Sequence, residues 1–239
     1  MNKNKFIAID VGMMLFLTAA IEVGLYFFAK GIDITTQGYT LTFVVNIYVT
    51  MSLLVLYRWN KIGILFNFIM TVIYLLVSLV IAPIEIYTFD DIWQKCLIYL
   101  GGVLSFSLTL LWFKKVEKEK IKNNKILTAL YVITGYLCIV IGRALVAVVI
   151  GLFTKDNVEV LGIFGAHLSM EMLNIVFGIL IMFVLRGQKD IFIDMNSYLL
   201  AIQKQKEILN SGRSQEYANH KWIKKANDWR GITRVHWKK

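Results

Sequence analysis

The chain has 239 residues, 57% of them hydrophobic, and a formal net charge of +10. A mean hydropathy of +0.62 excludes an ordinary soluble globular domain and places most of the chain in a lipid bilayer. What remains is a tail of about fifty residues, too little for a separate domain of enzymatic size.

Six apolar segments follow one another at 6–29, 41–57, 62–82, 92–113, 126–152 and 161–185. A helix needs about 20 apolar residues to cross a ~30 Å hydrocarbon core at 1.5 Å per residue. The pattern predicts an all-α polytopic bundle of six transmembrane helices over residues 1–187. A basic cytoplasmic tail follows at 188–239.

Charge sets the expected orientation, because lysine and arginine collect in cytoplasmic segments. With the N-terminus inside, 22 of the 26 basic residues fall on the inner side, six of them in the loop 114–125. The outer connections hold only Lys30, Lys95 and Lys155, beside Asp33, Glu85, Asp90, Asp91, Asp156 and Glu159. Both termini are therefore expected in the cytoplasm, with the protein multi-pass in the cell membrane.

The first span carries Asp10 near its inner mouth, where it can face cytoplasmic water, and Glu22 deeper in. It also carries Ala8 with Gly12 and Ala20 with Gly24, spacings that let helix backbones approach. The third span has Asn67, Thr71, Tyr74 and Ser78 on one helical face, expected to hydrogen-bond between helices. Pro83 closes that span, where a missing backbone donor costs least. The fourth span adds Gly101, Gly102, Ser105 and Ser107, and the fifth holds Gly135, Gly142, Ala147 and Gly151. Cys96 and Cys138 are expected at different depths, as packing residues rather than a disulfide framework.

Ionisable side chains inside a span are costly and usually face the bundle interior or a wet cavity. Glu22, Arg143 in the fifth span, and His167 and Glu171 in the sixth are expected in the outer half of the bilayer. His167, Glu171, Asn174 and Gly178 share one face of the sixth span. The functional reading is a polar pocket open to the outside. Arg143 would clamp an anionic group bidentately, and Glu171, Asn174, His167 and Glu22 would supply further hydrogen bonds. The alternative reading is an ion pair of Arg143 with Glu22 or Glu171 that staples helices together.

In the tail, Ile191, Met195, Tyr198, Ile202 and Leu209 fall at helical spacing, which predicts an amphipathic helix lying along the membrane. Ser211 and Gly212 interrupt it. Beyond them, eight basic residues accompany Trp222, Trp229 and Trp237. That composition suits an anionic lipid surface or a docking partner better than nucleic acid.

Several chemistries are missing. The chain has no glycine-rich P-loop, no His-Glu-x-x-His helix, no cysteine–histidine cluster of metal-site spacing and no nucleophile elbow. It reads as neither an ATPase nor another enzyme, and no cofactor or metal is expected.

Six spans, both ends inside, short outer loops and outward-lying polar residues resemble the substrate-binding (S) component of an energy-coupling factor transporter. The resemblance covers residues 1–187, with the Ala8–Gly12 and Ala20–Gly24 pairs standing where such components carry a small-residue docking pattern. It implies capture of a vitamin-like micronutrient at the outer side. It also implies a transmembrane coupling subunit and ATPase subunits as partners, which would supply the missing nucleotide chemistry. A second resemblance is to the small MreD-like proteins of cell-wall elongation. On that reading the chain is a membrane scaffold that recruits partners through the loop 114–125 and the tail.

Overall fold

The computed structural model describes residues 3–30, 34–36, 39–41, 46–81, 89–154, 159–188 and 191–210. Pro83, Ser211, Gly212 and the three tail tryptophans lie outside the described residues. The first helix, α1, runs over Lys3–Lys30. A two-stranded antiparallel hairpin follows, β1 at Ile34–Thr36 and β2 at Tyr39–Leu41, with Thr35 opposite Thr40. Next come α2 at Tyr48–Trp59 and α3 at Ile62–Ile81.

Helix α4 covers Phe89–Phe106 and tightens into a 3-10 stretch at Ser107–Leu111, then continues as α5 at Trp112–Lys115. A short helix α6, Lys118–Asn123, leads into α7 at Lys125–Thr154. The last two are α8, Val160–Gly187, and α9, Met195–Asn210.

Five helical stretches among the described residues are long and apolar enough to cross a membrane: Lys3–Leu25, Ile62–Leu79, Ile92–Lys115, Lys125–Thr154 and Val160–Gly187. The protein is a multi-pass helical membrane bundle. The second apolar segment differs from its expectation. Its helix has 12 residues, about 18 Å at 1.5 Å per residue, against the ~30 Å of a bilayer core.

That short helix is the centre of the molecule. Every residue of α2 except Met51 is buried. Leu53, Leu54, Val55 and Leu56 are fully enclosed, and Phe66, Met70, Tyr131, Tyr136 and Met182 join them in one core. By contrast, Phe16 of α1, Leu104 of α4, Leu145 of α7 and Val184 of α8 point outward. Apolar side chains turned out from a ring of long helices are what a lipid solvent selects.

Two close approaches explain the packing. The turn from α2 to α3 puts Asn60 at φ 54°, and a Cβ on Gly63 would collide with the Leu56 backbone. Helix α7 runs along both α4 and α8. At its contact with α4, a Cβ on Gly142 would collide with both the Gly101 carbonyl oxygen and Ser105 Oγ. Without a hydrophobic drive between helices in lipid, such backbone contact is how two helices gain dispersion energy.

The third-span face is inward, as its polar spacing predicts. Asn67, Thr71 and Ser78 are buried. Asn67 Nδ2 donates to Ser52 Oγ at 3.1 Å, and Lys95 Nζ donates to Ser78 Oγ at 3.3 Å. Cys96 and Cys138 are both free thiols.

Candidate functional site

A helix leaves its first backbone N–H groups without partners, and a side chain at the N-cap normally accepts from them. In α2 the N-cap residue is Ile47, which has no side-chain acceptor to offer. The acceptor comes from another helix. Glu22 of α1 takes the Ile47 N–H at 2.5 Å and the Tyr48 N–H at 2.6 Å, both on Oε1. A carboxylate at a helix N-terminus also meets the positive end of the helix dipole.

Helix α8 supplies the next link. Asn174 Oδ1 accepts the Asn46 N–H at 3.0 Å, and Asn174 Nδ2 donates to Glu171 Oε2 at 2.9 Å. Glu171 Oε1 accepts from Arg143 Nη1 of α7 at 2.6 Å. Arg143 Nη2 then donates to the Tyr48 hydroxyl at 2.6 Å. The circuit thus starts and ends on the first turn of α2. Glu22, Asn46, Tyr48, Arg143, Glu171 and Asn174 are all at most 7% exposed.

An aromatic wall flanks the circuit. The Arg143 guanidinium carbon sits 4.2 Å from the centre of the Tyr99 ring, a cation–π contact. The Tyr74 ring lies 5.9 Å from Tyr99 and 5.5 Å from Tyr48. Slightly deeper, the Thr50 and Tyr136 hydroxyls are 2.9 Å apart.

Of the five residues singled out by sequence, the structure joins Glu22, Arg143, Glu171 and Asn174 in this one network. His167 stands one turn before Glu171 on α8, half-buried, and makes no hydrogen bond to another described residue. The guanidinium fork of Arg143 is turned to Glu171 and Tyr48 rather than held open. Sequence reasoning missed Tyr48 and Asn46. Both lie in the second apolar segment, where a tyrosine reads as ordinary apolar content.

The other end of α2 carries a second cluster. Asp10 of α1, near the end of the span, receives Arg58 and Trp59. Arg58 Nη2 donates to Asp10 Oδ1 at 2.8 Å, and Trp59 Nε1 donates to Asp10 Oδ2 at 2.6 Å. Arg58 Nη1 reaches the Ile191 carbonyl at 2.5 Å. Lys118 Nζ of α6 donates to the Tyr57 carbonyl at 2.6 Å and pairs with Asp194 at 3.1 Å. A cation on a carbonyl of the last turn complements the negative end of the helix dipole. Burial pulls the Lys118 ammonium below its ordinary proton affinity, and Asp194 opposes this.

Segment 191–195, just ahead of α9, docks into this end. Phe192 is fully buried with its ring 4.2 Å from that of Tyr57, and Ile193 and Met195 are also buried. The apolar face expected on lipid is therefore packed on the protein bundle over its first turns. Opposite charges recur between chain-distant span ends here, Asp10 with Arg58 and Lys118 with Asp194. That pairing was the available sequence signal, hidden because the cations were read only as topology markers.

No cluster of three or more histidine, cysteine or acidic residues able to hold a metal occurs among the described residues. No family model, curated protein or solved structure matches the chain.

Proposed function

We propose that this protein is the substrate-capture subunit of an ATP-driven micronutrient uptake system in the cell membrane. On this reading the chain crosses the bilayer six times with both termini in the cytoplasm. The polar circuit then lies in the outer half of the bilayer.

One observation carries the reading. Four ionisable or amide side chains from three different helices converge on the N-terminal turn of α2. Polar groups this deep are costly unless they are used or fully paired. Transport energy would come from partner ATPase subunits through a transmembrane coupling subunit, since the sequence has no nucleotide loop of its own.

The test is gentle purification followed by mass spectrometry of bound small molecules and co-isolated proteins. A retained micronutrient, or ATPase subunits, is the expected outcome. An empty bundle that brings down wall-synthesis proteins would instead support the MreD-like scaffold reading. One observation favours that second reading: Glu171 and Asn174 are already satisfied within the protein, and so are both terminal nitrogens of Arg143, as in a structural staple.

A further inference from the structure

We propose that the turn joining α5 to α7 is a binding site for an anionic phospholipid, whose phosphate is held by Lys114, Lys115 and Lys125. The site is separate from the polar circuit at the start of α2. Along α7, Lys125 stands about 27 Å from Arg143 at 1.5 Å per residue.

Position comes first. Ile92–Lys115 and Lys125–Thr154 are both long and apolar enough to cross a membrane, so the turn between them lies at a membrane–water boundary. Trp112, half-buried, stands one turn inside the boundary, a depth at which membrane helices collect tryptophan. Leu108 and Leu111 are exposed on the first span, and Ile126 and Leu130 on the second. With no protein over them, these side chains lie along acyl chains. On each helix an exposed lysine stands where the apolar stripe ends. Lys115 comes four residues after Leu111, and Lys125 immediately precedes Ile126.

Charge comes next. Residues 114–125 hold six lysines against two glutamates. Lys118 is turned inward to the Tyr57 carbonyl and Asp194, and Lys120 pairs with Glu117 at 3.7 Å. Lys114, Lys115 and Lys125 are exposed and make no hydrogen bond or ion pair among the described residues. An ammonium at headgroup depth is attracted to a lipid phosphate, and its apolar stem can lie on the acyl boundary.

The turn is also fixed in place. Ile121 is fully buried, and Thr128 Oγ1 donates to its carbonyl at 2.6 Å. Asn124 Oδ1 accepts the Ile126 N–H at 2.9 Å and caps the start of α7 beside Lys125. A platform held this way presents its lysines with little ordering left to lose on binding.

The chemistry of the patch favours lipid over an acidic protein partner. Every exposed residue from 114 to 125 is a lysine, glutamate or asparagine. Protein interfaces are depleted in lysine and glutamate and are anchored by buried aromatic or arginine side chains, which this surface does not offer. The exposed apolar residues beside it belong to the spans themselves, as a lipid with a charged head and two chains requires.

The experiment titrates the full chain in neutral detergent with phosphatidylglycerol and reads the bound lipid by native mass spectrometry. Phosphatidylcholine with the same acyl chains is the comparison, and inorganic phosphate is the competitor. Tighter binding of phosphatidylglycerol is expected, with no displacement by equimolar phosphate. The triple variant Lys114→Gln, Lys115→Gln, Lys125→Gln should weaken it about a hundredfold, roughly fivefold for each lysine. The corresponding triple Lys→Arg variant keeps the charge and should bind within a few-fold of the unmodified protein. Equal affinity for the two lipids, full displacement by phosphate, or an unchanged affinity in the folded Gln variant would overturn the proposal. So would a Gln variant that keeps its lipid but loses a co-purifying acidic protein, which would make the turn a protein-docking surface. If the Gln variant does not fold, a photoactivatable phosphatidylglycerol on the unmodified protein decides. Crosslinks within 108–115 and 126–130 are expected, and crosslinks confined to other segments would overturn the site.

Discussion

Glu22 and Asp10 lie on the same helix, α1, and hold opposite ends of the same short helix, α2. Glu22 accepts the backbone donors at its start, while Asp10 accepts Arg58 and Trp59 at its finish. The two carboxylates clasp α2 along its length. A change at the polar circuit is thereby mechanically continuous with the cluster at the other end of α2 that holds segment 191–195.

Arg143 and Glu171 should behave as a unit. Arg143→Ala leaves a buried carboxylate with one fewer donor and should cost about 3–5 kcal/mol. The double variant Arg143→Met with Glu171→Leu should lose less than the sum of the two single changes. Denaturant unfolding in micelles measures both. Additive losses would show that the pair is not coupled.

The α4–α7 contact predicts a contrast between glycines. Gly142→Ala places a methyl against backbone and should destabilise by about 1–3 kcal/mol through overpacking. A Cβ on Gly12 would meet open space, with nothing within 4 Å, so Gly12→Ala should shift stability by no more than about 0.5 kcal/mol. Similar melts for the two variants would contradict the helix crossing described.

Phe192→Ala should undock the segment before α9. The expected loss is about 3–5 kcal/mol, as for other buried phenylalanines. Limited proteolysis should then cut near residue 192 well before the spans are attacked. A cleavage pattern like that of the unmodified protein would mean that the aromatic contact with Tyr57 does not hold the segment.

Lys118 gives a pH dependence whose sign is fixed. Its folded-state proton affinity is lowered by burial, whereas the unfolded chain keeps the proton up to about pH 10.5. Between the lowered value and pH 10.5 the unfolded state binds more protons, so this group's contribution to stability rises with pH. Lys118→Gln should remove that rise. Melts from neutral pH to pH 10.5 that have equal slopes in both proteins would exclude it.

The proposed orientation is open to thiol labelling. In a Cys96→Ser, Cys138→Ser background, Glu159→Cys should react with an impermeant maleimide on intact cells. Lys122→Cys should react only after lysis. Reversed labelling would invert the assignment of sides.

The long helices were legible because length and apolarity alone determine a span. Helix α3 begins at Ile62, as its residues predict, and α7 and α8 extend only one or two residues beyond theirs at each end. The shortness of α2 was not legible. A buried helix is apolar all round, so the same run reads as a lipid-facing span until its neighbours are known. Within the site, Glu22, Arg143, Glu171 and Asn174 stood out because charge and amide groups are conspicuous in apolar sequence. Their partners Asn46 and Ile47 act there through backbone N–H groups, which no sequence displays. Asp10 was visible, but its partner Arg58 lies 48 positions away, and no local periodicity reports a pairing at that distance.

The enclosure of α2 has a consequence for biogenesis. Twelve residues cannot reach across the hydrocarbon. The longer helices can each insert as independent stable rods. This one has no comfortable residence until they surround it, so its seating belongs to the final stage of assembly. Defects at either clasp should then show up as failed maturation before they are noticed as lost activity.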